Sequence, residues 1–231
     1  MSEVIQTADC LDCPYRSLIF ENLNAEQLIR VTENRKEILY KKGEVVCKQG
    51  DRVQSFLYLK TGLVKIFKEN NDNKPQIISI AKPKDFIGLL SIFSQEVYPF
   101  SISCIEDSAI CFVDLDVIRS LIREDGEFGL VFLEKMSEVS ENIWQSRLEL
   151  SKKNLRGRIA YTLLEFSQNI FDDLQFDLPI SRKELAELID MTTENVIRIL
   201  SEFRKDEIIG ISGKTITILD NNRLEQINLH G

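Results

Sequence analysis

Histidine is nearly missing from this 231-residue chain: the single copy is His230. That scarcity removes Ser-His-Asp and Cys-His catalysis, histidine-ligated zinc enzymes and most histidine-ligated haem sites together. No nucleophile–base pair or phosphate-cradling glycine loop stands in for them, so the chain is not expected to be an enzyme. Long apolar runs are absent too. None reaches the roughly 18 residues of a membrane-spanning helix, and the start, MSEVIQTADC, has neither a basic region nor an apolar signal core. A cytoplasmic protein without a membrane partner is expected. Five cysteines at irregular spacing, without an export signal, argue against a disulfide framework and leave buried thiols or a metal or redox role. Positive charge is also in short supply. The net charge is -8, and from Ser151 onward 11 basic side chains stand against 13 acidic ones. Bulk charge would repel a polyphosphate, so any nucleic-acid binding depends on where the basic groups sit.

What is present is 43% hydrophobic residues, enough for two modest cores. From Arg35 to Asp114, β-rich runs alternate with turn signals: KEILY then KKGE, VVCKQ then GDR, SFLYLK then TG, LVKIFKE then NNDN, QIISI then KPKD, followed by FSISC and AICFVDL. This spacing predicts a β-barrel or sandwich, with Gly43, Gly50, Gly62 and Gly88 at its turns or bulges. From Asp116 to about Ser151 the period changes. Phe128, Val131, Phe132, Met136, Val139, Ile143 and Leu150 recur at helical steps, which reads as one long amphipathic helix. Its stripe is longer than one barrel covers, so pairing with a second copy is expected through Phe128, Val131, Met136, Val139 and Ile143, the alternative being a helix packed only on its own domain. SKKN at 151–154 reads as a hinge. The expected division is a β-rich domain with an N-terminal arm at 1–115, a dimerisation helix at 116–151 and a C-terminal domain at 152–231.

Residues 180–206, ISRKELAELIDMTTENVIRILSEFRKD, carry the most information. Ser181 and Glu184 fit a capping box, with Leu185, Leu188 and Ile189 on one face of a short helix. Asp190-Met191 forms a turn, and Thr192 caps a second helix. On that helix Val196, Ile199, Leu200 and Phe203 share one side, while Glu194, Ile197, Arg198, Ser201 and Lys205 share the other. An isoleucine between a glutamate and an arginine is unusual for a solvated surface. It suits a recognition helix: arginine for guanine O6/N7, glutamate for cytosine N4, an apolar tip for a thymine methyl. Next, IIGISGKTITIL reads as two strands joined at Ser212-Gly213-Lys214, a wing with a basic tip. The alternative is a scaffold or ligand-binding protein with a degenerate helix-turn-helix, its Glu194 and Arg198 a surface ion pair.

The segment ISRKELAELIDMTTENVIRILSEFRKDEIIGISGKTITIL resembles the C-terminal signature of the CRP/FNR regulators, relatives of the cyclic-AMP receptor protein and the oxygen sensor FNR. YKKGEVVCKQGDRVQSFLYLKTGLVKIF and KPKDFIGLLSIF resemble the family's cyclic-nucleotide-binding-type β-roll, and LSKKNLRGRIAYTLLEF its passage into the DNA domain. The resemblance implies an α+β chain: an N-terminal double-stranded, jelly-roll-like β-roll, a long dimerisation helix and a C-terminal winged helix-turn-helix. It implies a homodimer whose partners are RNA polymerase and duplex DNA, at a palindrome of TGA-like half-sites. Glu194 and Arg198 fall at base-reading positions, and Thr193 replaces a third arginine of the cyclic-AMP receptor. Ser181, Arg182, Ile197 and Lys214 complete the expected DNA contacts.

The effector end departs from the family pattern. The cyclic-nucleotide binders have a glutamate after the glycine of Gly88 and an Arg-Ser pair further on. This chain has Leu89 and YPFS at 98–101. A buried cyclic phosphate without its arginine would lose several kcal/mol, so cyclic AMP is disfavoured. The residues expected around the cavity are Gly88, Leu89, Leu90, Pro99, Phe100 and Ser101, around a planar apolar ligand or in a collapsed state. DCLDCPYRSLIF resembles FNR's iron–sulfur arm, with Cys111 where the distant ligand sits. Cys10, Cys13 and Cys111 would then hold a labile cluster with a non-cysteine fourth ligand, because Ile19 occupies the remaining position. The reading preferred over this is that Cys47, Cys104 and Cys111 are packed core residues, with no metal site and no cofactor assigned.

Overall fold

The computed structural model describes residues 3–5, 10–14, 18–69 and 75–231, so the NNDN turn at 70–73 lies outside the described residues. The chain divides into two compact units, Met1–Asn142 and Ile143–Gly231, a boundary inside the long helix.

The first unit runs β1 (Glu3–Ile5), α1 (Leu18–Glu21), α2 (Ala25–Glu33), β2 (Arg35–Tyr40), β3 (Val45–Cys47), β4 (Ser55–Thr61), β5 (Val64–Glu69), β6 (Pro75–Ala81), β7 (Phe86–Ile87), β8 (Ser101–Cys104), β9 (Ser108–Asp114), α3 (Leu115–Glu124) and most of α4 (Gly126–Lys152). Among the described residues the strands form two antiparallel sheets, ordered β1-β2-β9-β4-β7 and β3-β8-β5-β6. Alternation along β4 explains why both faces of the first sheet are covered. Leu57 and Leu59 enter the core between the sheets with Val64, Ile102 and Ile110, whereas Phe56 and Tyr58 point outward into a second core under α1 to α4. Gly62 closes β4 to β5 at φ +81, and a Cβ there would lie 2.3 Å from Ser108 Oγ and 2.4 Å from the Asp107 carbonyl, so only glycine fits. Cys47, Cys104 and Cys111 are buried. Burial pushes the Cys47 thiol up to about 12 and that of Cys104 to about 11, values at which they remain neutral packing groups.

Two expectations for the region after the barrel are corrected. It holds two helices, α3 and α4, because Asp125 breaks the run at an extended φ of −128 and ψ of 100. Its Oδ1 accepts from the Glu127 and Phe128 amides, both at 3.1 Å, and Oδ2 from Gln27 Nε2 at 3.0 Å, capping α4 and tying it to α2. The expected pairing stripe also turns inward. Phe128 and Phe132 are buried in the first unit's outer core, with Val131, Met136 and Val139 packed against it. Of the expected stripe, Ile143 stays exposed at 37%, and α4 also leaves Leu130, Leu133 and Trp144 exposed, at 63%, 59% and 65%.

The second unit follows with α5 (Leu155–Glu165), a π-turn at Phe166–Phe171, β10 (Gln175–Asp177), α6 (Arg182–Ile189), α7 (Thr193–Lys205), β11 (Ile209–Ser212), β12 (Thr215–Ile218) and α8 (Asn221–His230). Its sheet is ordered β10-β12-β11, one strand more than the expected pair. Gln175-Phe176-Asp177 is too short to announce itself by alternation.

Candidate nucleic-acid interface

Local chemistry fixes α6 and α7. The Ser181 hydroxyl accepts from the Glu184 amide at 3.2 Å, while the Glu184 carboxylate accepts from the Ser181 amide at 2.9 Å, a complete capping box. Asp190 takes the left-handed conformation, φ 54, and the Met191 amide returns to the Ala186 carbonyl at 3.0 Å, turning the chain between the helices. Arg158 on α5 donates to the carbonyls of Ile189 and Asp190 at 3.1 and 3.0 Å, and so pins this turn from below. Sequence reading missed that role, for which the only signal is a basic residue inside LRGR. Thr192 caps α7 by accepting from the Asn195 amide at 3.3 Å.

With α7 fixed at its start, its register follows. Val196, Ile199, Leu200 and Phe203 are all buried, and Glu194, Ile197 and Arg198 are exposed on the other side, Ile197 at 52%. The Glu194 carboxylate accepts from its own amide and from the Thr192 hydroxyl, which keeps it below the usual carboxylate range and ionised as an acceptor. Thr193 is partly exposed at the first turn. Arg198 meets Glu202, and its Nη2 donates to Asn195 Oδ1 at 3.3 Å. At the wing, Ser212 pairs with Thr215 across Gly213-Lys214. Lys214 Nζ lies 2.8 Å from Asp177 and Arg182 Nη2 donates to the Gly213 carbonyl at 3.3 Å, so α6 and the wing tip are joined. Thr193, Glu194, Ile197 and Arg198 therefore share one surface of α7, with Arg182 and Lys214 at the wing. The Ser181 hydroxyl is committed to its cap.

In the β-roll, the residues expected around a cavity differ in their exposure. Leu89 is buried in the outer core, while Leu90 and Pro99 face outward. Ser101 is buried with its Oγ accepting from the Gln49 amide at 2.9 Å. Gly88, at φ +70, is covered by the ring of Phe100, 3.1 Å from where a Cβ would stand, and Phe100 leans on Tyr98 with ring centroids 5.9 Å apart.

Of the three cysteines expected at a cluster, Cys10 and Cys13 are half-buried and Cys111 is buried. Cys111 Sγ accepts from Arg35 Nη1 at 3.6 Å, and the same guanidinium lies 3.5 Å from Glu37. Ile19, at the missing ligand's position, is buried in the outer core, and among the described residues no three His, Cys, Asp or Glu side chains are grouped to hold a metal ion.

Comparison with known proteins places this geometry in context. Residues 37–125 match the model of the cyclic nucleotide-binding domain, and residues 157–227 that of the Crp-like helix-turn-helix domain. The chain is 27% identical over 226 residues to the fumarate and nitrate reduction regulatory protein of Vibrio cholerae, covering 94% of this chain and 89% of that one. It is 29% identical over 219 residues to the transcriptional activator protein Anr of Pseudomonas protegens, covering 92% and 89%. Among solved structures, FixK2 from Bradyrhizobium japonicum superposes with a TM-score of 0.76 at 22% identity, covering 84% of this chain and 97% of that one.

Proposed function

The chain belongs to the CRP/FNR family of DNA-binding transcription regulators, and from that premise we propose that it acts as a homodimer on a palindromic site with TGA-like half-sites. The observation that carries the reading is the two-faced α7: one side buried, the other presenting Glu194, Ile197 and Arg198 outward. Arg198 forks onto guanine O6/N7, ionised Glu194 accepts from a cytosine amino group, and Ile197 meets a thymine methyl. Thr193 is too short to fork onto a guanine, so the outer position of each half-site is weakly read. Lys214 and Arg182 lie toward phosphate and set register without reading bases, while Ser181, expected beside them, serves by capping α6. The scaffold alternative is not favoured, since the relatives are named as transcriptional regulators.

Two recognition helices must meet successive major grooves about one turn apart, so the palindrome requires two copies. The exposed Leu130, Leu133 and Trp144 of α4 fall, with Ser137 and Ser140 between them, on one heptad seam, and we assign that seam to the second copy. Cyclic nucleotide is disfavoured as the effector in this reading, because YPFS stands where the nucleotide binders have their Arg-Ser pair and the ring of Phe100 lies over Gly88. RNA polymerase is the downstream partner that membership of the family implies. Fluorescence anisotropy tests the central reading. A duplex with two TGA half-sites one turn apart should bind at least about a thousandfold more tightly than a scrambled duplex. Equal affinities, or no binding at low salt, would overturn it.

A further inference from the structure

The base-facing arginine is not an open fork. Arg198 Nη1 lies 2.5 Å from Glu202 Oε1, and Nη2 donates to Asn195 Oδ1 at 3.3 Å. Glu202 is held from its other side, since its Oε2 accepts from Arg156 Nη1 at 2.8 Å. Arg156 is anchored in turn. Its guanidinium lies 4.9 Å over the ring of buried Phe203, and its Nη2 is 3.5 Å from Asp206. A row of alternating charge, Arg198, Glu202, Arg156 and Asp206, thus runs from the exposed face of α7 to the first turn of α5. Both oxygens of Glu202 are engaged, and its side chain is only 34% exposed.

We propose that Glu202 is a specificity-positioning residue that holds Arg198 in one orientation and makes every non-cognate grip on DNA break an existing ion pair. The inference rests on Arg198 reading a base. A free arginine reaches phosphates and several base edges alike, and loses rotamer freedom each time it does so. Held by Glu202 and Asn195, Arg198 keeps its remaining N–H groups for a partner in one place. To neutralise a phosphate instead, it must leave a carboxylate that Arg156 prevents from following. The negative charge of Glu202 also repels the DNA backbone whatever the sequence, so it penalises random sites that offer no compensating fork.

The test uses the full-length wild type, Glu202→Gln and Arg198→Ala, with selection from random duplexes and anisotropy on the selected and scrambled sites. Glutamine keeps the shape and removes the charge. For Glu202→Gln, affinity for the scrambled duplex should rise by about three- to tenfold while affinity for the selected site changes by less than about twofold, and preference at the arginine-read base pair should fall accordingly. An unchanged ratio and an unchanged base profile for Glu202→Gln, with Arg198→Ala still erasing one base preference, would overturn the role of Glu202 alone. A wild-type profile for Arg198→Ala would overturn the reading of the recognition helix, and this inference with it.

Discussion

Arg198 and Lys214 are both exposed cations of the second unit, yet they differ in what they can reach. Arg198 lies on the outward face of α7, and its planar fork matches one base edge; Lys214 sits at a turn beside Asp177 as a mobile point charge. Arg198→Ala should remove preference at one symmetric G·C pair per half-site, about 1–3 kcal/mol of discrimination, and leave salt-sensitive residual binding. Lys214→Ala should weaken all duplexes alike and make the salt slope shallower by about one. Anisotropy titrations at several salt concentrations, on sites varied at that base pair, separate the two. The exposed placement of both residues was legible in the sequence, because it depends on spacing along a single helix and on a two-residue turn. The group that fixes Glu202 behind Arg198 was not, since Arg156 meets Glu202 across 46 positions.

At the scale of elements, the recognition segment was the most readable because its caps are local: Ser181 with Glu184, and Thr192 with Asn195. The long helix was misread because its apolar period passes through Asp125 unbroken. Ile118 and Leu121 on one side and Phe128 and Phe132 on the other are all core residues, and one Asp-Gly pair is enough to end one helix and start the next. Nor could spacing tell the stripe that covers its own barrel from the one left free, since both are apolar. The same junction should be sensitive to acid. Glu124 accepts from Arg30 through both oxygens, at 2.7 and 3.0 Å, and this pairing together with Ser120 holds its carboxyl at about 2 against an ordinary 4.5. Asp125 is also held low, by Gln27 and the α4 amides. A carboxyl depressed in the folded state stabilises it above its unfolded value, and that contribution is lost as pH falls through the folded value. The melting temperature should therefore decline between about pH 4.5 and 2. In thermal melts followed by circular dichroism, Glu124→Gln should start lower at neutral pH and decline less across that window.

For the molecule as a whole, a net charge of -8 makes DNA binding a matter of arrangement, and two copies double the correctly placed cations without relying on bulk charge. The double variant Leu130→Asp, Leu133→Asp should fold, because both side chains are exposed in the single chain, and should be monomeric by light scattering at micromolar concentration, with weak DNA binding. A dimer of unchanged affinity would place the interface elsewhere. The ring of Phe100 over Gly88 has a further meaning at this scale. The β-roll lays an aromatic ring of its own chain over Gly88, so the chain itself fills that space. For a protein engineer this is a socket with its plug supplied. Cutting Phe100 back to alanine would vacate a ring-sized space beside Gly88 and Tyr98, into which an added planar aromatic compound could be fitted as an input of the designer's choosing.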